Sequence, residues 1–174
     1  MEREDIVCIG YDVYKELISA FRDFAIEKLG DSILSLILYG SVARSKGKQE
    51  SDVDLLIILK EAPDVYYERL KPFMEIEKDL RKRKEYEIVR RKGLTPYLSY
   101  IILSQKEAQK NLYLFLDMIE DSIILLDRND FFKKRLKELR RRLNLLGAKK
   151  IFLEDGSWYW DLKPDLLAGE VFEL

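Results

Sequence analysis

LYGSVARSKGKQESDVDLLIIL, residues 38–59, is the stretch that decides the fold. Its first residues close an apolar run, Ile33 to Tyr39, which is short for a helix and reads as a strand covered on both faces. Gly40 and Ser41 stop that run abruptly. A polar loop, Ser45 to Ser51, leads to a second apolar run, Asp52 to Leu59, which reads as another buried strand closed by Lys60, Glu61 and Pro63. Two buried strands joined in this way belong to a mixed α/β (α+β) protein if helices flank them.

Helices are expected on both sides. Tyr11 to Leu29 carries apolar residues at Tyr14, Leu17, Phe21 and Phe24, with Gly30 as a C-terminal cap. Val65 to Lys84 is helical through Tyr66, Leu70, Phe73, Ile76 and Leu80, with Pro72 marking a kink or the start of the main helix. Glu85 to Arg90 and Tyr97 to Leu103 read as further strands around a turn from Gly93 to Pro96. Ser104 and Glu107 have capping-box spacing for a helix running to about Glu120. Ile123 to Leu126 is a short strand, and Phe132, Leu136, Leu139, Leu143 and Leu146 stripe a helix that ends near Gly147. Residues 1–103 are expected to form the core, and residues 104–174 a C-terminal helical and tail region that packs with it as one domain or stands as a second lobe. In the tail, Trp158, Tyr159 and Trp160 form either a packed strand or an exposed contact surface.

Composition narrows the chemistry. The chain has 174 residues, 47% hydrophobic and 36% charged, with a formal net charge of -1. No apolar stretch reaches the roughly 20 residues of a membrane span, so no membrane association is expected. Histidine is absent and Cys8 is the only thiol, which excludes a Ser-His-Asp triad, a His-ligated zinc hydrolase, an intrachain disulfide and a thiolate zinc site. A bound metal must then be held by oxygen, which favours Mg²⁺ or Mn²⁺. Met1 to Asp5 lacks the form of a secretory leader, and a cytoplasmic location is expected. Basic residues cluster in two runs, Arg81 to Lys92 and Lys133 to Arg142. Both read as solvated helix surface, and nucleic acid is not expected as the partner.

Chemistry concentrates in the pattern G-S-x10-D-x-D, formed by Gly40, Ser41, Asp52 and Asp54. On an extended segment Asp52 and Asp54 project from one face, about 6.6 Å apart along the backbone. Two carboxylates at that spacing repel by about 2.5 kcal/mol at an effective dielectric near 20, so a divalent cation between them is favoured. Gly40 permits a sharp turn and close approach of an anion, and Ser41 opens a segment whose backbone N–H groups can receive phosphate oxygens. Arg44, Lys46 and Lys48 follow and can neutralise a polyphosphate.

On these residues the stretch Leu38 to Leu59 resembles the nucleotidyltransferases of the DNA polymerase β superfamily, in particular the minimal nucleotidyltransferases of prokaryotes. The resemblance implies a nucleotidyltransferase-like mixed sheet flanked by helices. It also implies that Gly40 and Ser41 hold the phosphates of a nucleoside triphosphate, that Asp52 and Asp54 are catalytic and hold Mg²⁺, and that an acceptor hydroxyl attacks the α-phosphate as pyrophosphate leaves. Catalytic members carry a third carboxylate on a later strand. The aligned strand here, Leu98 to Leu103, has Ser99 near that position, and Glu87 is a candidate substitute. Asp117, Glu120 and Asp121 read as the polar face or end of a helix. The acceptor is a small molecule or a protein side chain; the alternative is a noncatalytic nucleotide-binding or antitoxin-like protein that binds a partner.

Overall fold

The computed structural model describes residues 8–110, 113–154 and 157–172. Helix α1, Tyr11–Leu29, runs into strand β1, Ile33–Tyr39. A single turn, α2, Gly40–Ala43, follows at once, and after the loop comes β2, Val53–Leu59. Next are α3, Tyr66–Leu80, α4, Lys84–Arg91, and β3, Leu98–Ser104. The C-terminal region contributes α5, Gln105–Ala108, a 3₁₀ turn over Tyr113–Asp117, α6, Met118–Asp121, β4, Ile123–Asp127, and α7, Phe131–Leu146. It closes with a hairpin of β5, Lys149–Phe152, and β6, Trp158–Asp161.

Four strands form one mixed sheet in the order β3-β2-β1-β4. β1 lies antiparallel to β2 and β4, whereas β2 and β3 are parallel, which needs the crossover that α3 and α4 supply. Both faces of the sheet are covered, which explains why β1 and β2 read as unbroken apolar runs. On one face Leu36, Leu38, Val53, Leu55 and Ile57 pack against Tyr14, Leu17 and Phe21 of α1, Phe73 and Ile76 of α3, and Val89 of α4. On the other, Leu34, Ile37, Leu56 and Ile58 pack against Phe115, Met118, Ile119, Phe132, Leu139 and Leu143 from the C-terminal region. Each fully buried side chain of this size contributes about 1.5–3 kcal/mol of transfer free energy.

Two sequence expectations are corrected. Glu85 to Arg90 is not a strand but lies within α4, whose first turn carries Glu85 and Glu87 and whose last carries Arg90 and Arg91. That charge order suits the helix dipole. The helix expected from Ser104 to Glu120 is broken. The capping box forms as read, with Ser104 Oγ accepting from the Glu107 amide and the Glu107 carboxylate accepting from the Ser104 amide, but α5 lasts a single turn. The chain beyond it forms a 3₁₀ turn over Tyr113–Asp117 and the one-turn helix α6, which bury Phe115, Leu116, Met118 and Ile119. Residues 111–112 lie outside the described residues. Pro72 sits inside α3. Among the described residues no helix is long and apolar enough to cross a membrane.

Two tertiary ties bear on the site. Arg69 of α3 is buried, and its guanidinium donates to both oxygens of Glu107, at 2.7 and 3.1 Å, and to the carbonyls of Ile102 and Pro63. Ile9 pairs with Gly47, each amide donating to the other carbonyl at 2.8 and 2.9 Å, so the chain ahead of α1 is clipped to the loop between α2 and β2.

Candidate active site

β1 ends at Tyr39 and the chain turns at Gly40 with φ of +77°, a left-handed conformation that disfavours any side chain. Tyr39 stands opposite Asp54 on β2, and Asp54 opposite Ser99 on β3. This register brings the two halves of the motif together. A Cβ placed on Gly40 would lie 2.1 Å from Asp54 Oδ2, so the carboxylate occupies the space that the missing side chain leaves. α2 starts at this contact, and the first amides of a helical turn have no intrahelical partner.

Strand alternation puts Asp54 on the face of Leu56 and Ile58, the face covered by the C-terminal region. Asp54 is half-buried and Asp52, just before β2, is exposed. The Asp54 pKa is raised, first by burial and then by the charge of Asp52; a hydrogen bond from Ser99 and the charge of Arg44 partly offset this. A carboxylate made costly by burial and a like charge, with a hydroxyl as its register partner, is an oxygen donor set that fits a hard divalent ion.

Arg44 caps the C-terminal end of α2 and is half-buried. Lys46 and Lys48 are exposed, and the Lys46 amide donates to the Ser41 carbonyl at 2.9 Å. Ser41 lies half-buried in α2 next to Gly40. Glu87 is not at the site. It is exposed on α4, paired with Arg91 at 3.5 Å, on a helix packed against the opposite face of the sheet. The strand position opposite Asp54 therefore holds a hydroxyl, and among the described residues no cluster of three or more acidic or thiol groups forms.

The C-terminal region adds charged groups that the sequence reading did not assign to the site. Asp117, which immediately precedes α6, is exposed; partial desolvation raises its pKa, and the charges of Arg44 and Lys150 hold that rise back. The Tyr39 hydroxyl is pushed up to about 12 by burial, Asp54, Tyr66 and Asp117. Lys150 of β5 pairs with Glu120 at 2.6 Å and lies over the Trp158 ring at 4.1 Å, with its side chain 14% exposed. Residues from β1, α2, β2, β3, α6 and β5 thus meet at one margin of the sheet. No linear spacing connects Asp117 or Lys150 to Asp54.

The basic runs are mostly consumed locally. Arg81 pairs with Glu77 at 2.6 Å, Lys82 with Asp79 at 2.7 Å and Arg83 with Glu85 at 3.4 Å. Arg141 and Arg142 share Glu138, and Lys133 pairs with Asp130. In the tail, Trp160 packs against the core of the covered face while Tyr159 is 51% exposed.

The Gly-Ser turn after β1 and the Asp-x-Asp pair at the start of β2 lie within the segment that a known family model matches, and the match is in line with the minimal nucleotidyltransferases of the DNA polymerase β superfamily. The nucleotidyltransferase domain model matches residues 18–109, from within α1 to the end of α5. The chain belongs to that family, and it is a nucleotidyltransferase. It is 30% identical over 135 residues, covering 76% of this chain and 84% of the relative, to a Methanocaldococcus jannaschii protein named provisionally as a protein adenylyltransferase. Among solved structures it is similar to a Sulfolobus solfataricus protein described as a nucleotidyltransferase, at 14% identity and a TM-score of 0.41, with 74% of this chain and 93% of the other covered. It is also similar to a chain of a toxin–antitoxin complex with AMP-PNP, at 12% identity and a TM-score of 0.43, covering 77% and 92%.

Proposed function

We propose that this nucleotidyltransferase moves an adenylyl group from a nucleoside triphosphate to a hydroxyl on a protein, with Asp52 and Asp54 as the metal-holding catalytic pair. The observation that carries the reading is the contact between Asp54 and Gly40, which sets a carboxylate against the turn where a phosphate chain can approach. The choice of acceptor and of adenine is supported by the name of the Methanocaldococcus jannaschii relative.

In this reading Asp52 and Asp54 would hold Mg²⁺ or Mn²⁺, which would supply positive charge beside the phosphates. Gly40 and Ser41 receive phosphate oxygens through backbone N–H groups and the Ser41 hydroxyl. Arg44 reaches the phosphates from the end of α2, and Lys46 and Lys48 add positive charge at the loop surface. Ser99, the register partner of Asp54 on β3, offers its hydroxyl as a donor to that carboxylate. The acceptor oxygen forms a bond to the α-phosphorus while the bond to the β-phosphate oxygen breaks, and pyrophosphate leaves. Ser99 at the third-strand position favours a second reading, in which the protein binds nucleotide and a protein partner without transferring the group.

Incubation with α-labelled ATP, Mg²⁺ and candidate partner proteins separates these readings. Label should appear on a partner together with released pyrophosphate, and Asp52→Asn and Asp54→Asn should each abolish both while retaining the wild-type circular dichroism spectrum. A stable unlabelled complex would support the binding-only reading, and undiminished transfer by both variants would reject the acid pair.

A further inference from the structure

The loop from Arg44 to Ser51 joins the two halves of the site, and its backbone bonds are mostly its own. The Arg44, Ser45 and Lys46 amides donate back to the carbonyls of Gly40, Val42 and Ser41, and the Ser51 amide donates to that of Lys48. Among the described residues, Gly47 makes the one backbone tie from this loop to an element other than α2. Its amide donates to the Ile9 carbonyl at 2.9 Å, and its carbonyl accepts from the Ile9 amide at 2.8 Å. Ile9 is 6% exposed and belongs to the core on the α1 side of the sheet, and Gly10 is the N-cap residue of α1. The loop is thus fastened to the core through the residues that lead into α1.

Two glycines permit the approach. A Cβ on Gly47 would lie 2.7 Å from the Ile9 carbonyl oxygen and 3.3 Å from Val42 Cγ2, and one on Gly10 would lie 2.6 Å from Ser45 Oγ. Ser45 itself holds a φ of +55°, a left-handed conformation uncommon for a residue with a side chain. A disfavoured backbone angle inside so close a contact is kept by the surroundings and not by local preference. Gly47 is buried while Lys46 and Lys48 on either side of it are exposed, so the tie fixes the backbone and leaves both lysines at the surface.

We propose that Ile9 and Gly10, which lie outside the Gly-Ser and Asp-x-Asp motif, are positioning residues for the phosphate site: their clip on Gly47 holds the loop, before nucleotide arrives, in the conformation that presents Arg44 and Lys46 to the phosphates. This rests on the assignment of Arg44 and Lys46 to the triphosphate made above. A loop already in its bound conformation loses less freedom when a ligand orders it, and apparent affinity scales with the fraction of molecules in that conformation. Opening the clip keeps every phosphate-contacting residue and lowers that fraction.

The test uses the full chain and needs no turnover. Dissociation constants for α,β-methylene-ATP with Mg²⁺, and for pyrophosphate with Mg²⁺, are measured by calorimetry for the wild type, Gly47→Pro, Gly10→Ala, Ser45→Gly and the Gly10→Ala/Ser45→Gly pair, and hydrogen exchange follows the Ile9 amide. Gly47→Pro has no amide to donate to Ile9, and Gly10→Ala sets a methyl against Ser45. Each should bind both ligands about three- to tenfold more weakly, as when the competent loop falls to about a third to a tenth of the molecules. Ser45→Gly alone should stay within about twofold of wild type. In the pair, the nearest remaining atom to the new methyl is the Ser45 Cα at 3.3 Å, so at least half of the lost affinity should return together with protection of the Ile9 amide. Full affinity in Gly47→Pro or Gly10→Ala overturns the proposal, as does a pair that regains amide protection and no affinity. Failure of both single variants to fold overturns it in favour of a structural role. A wild-type protein that binds neither ligand rejects the phosphate assignment itself, a result distinct from wild-type binding that ignores the clip.

Discussion

At the residue scale the site turns on one absent side chain. Gly40 combines a positive φ with a carboxylate standing where a Cβ would be, so both backbone and packing exclude any other residue. Gly40→Ala should cost about 1–3 kcal/mol of stability, the usual range for a side chain forced into a disfavoured backbone region. Denaturant titration checks this. Combining it with Asp54→Ala should recover part of the loss, because the added methyl then meets no carboxylate. The same scale shows which parts of the site the linear chain reveals. Gly40, Ser41, Arg44, Lys46, Asp52 and Asp54 fall within one short stretch, and their types and spacing suggest the proposed chemistry without knowledge of the fold. Asp117 and Lys150 reach the margin through tertiary packing alone. In sequence each is an ordinary charge on a helix or strand.

At the scale of elements, periodicity succeeded where burial is one-sided or complete and failed where charge order decides. α1, β1, β2 and α7 follow their apolar patterns to within a residue or so. α4 offers few buried side chains, chiefly Val89, and its helical character lies in acids placed before bases. The tie between Arg69 and Glu107 joins α3 to α5 at the end of β3, and it has a pH signature. Arg69 and the Ser104 amide hold the Glu107 pKa down to about 2 from its ordinary 4.5. A lowered folded-state pKa stabilises the protein above 4.5, and that contribution is lost as the pH falls from 4.5 towards 2. Glu107 is 41% exposed, so solvent screening keeps the amount small. Glu107→Gln should therefore lower the urea midpoint at pH 7 more than at pH 2, and flatten the acid limb between those values. Equal losses at both pH values would show that packing, not charge, is what Glu107 provides.

At the scale of the whole molecule, one sheet face is covered by α1, α3 and α4 and the other by the C-terminal region, which also supplies β4 beside β1. A chain ending at Ser122 would leave β1 with an open edge and lose the cover that α7 and the hairpin give Leu34, Ile37, Leu56 and Ile58. Such a truncation should bind a hydrophobic dye and aggregate on heating, while the full chain does neither; a monomeric, cooperatively melting fragment would show that the first part folds alone. The clip between Ile9 and Gly47 has a practical corollary at this scale. Cys8, the chain's sole thiol, is exposed and adjoins that clip. A fluorophore attached there would report, without any engineered mutation, on movements of the loop that carries Arg44 and Lys46 as ligand arrives and departs.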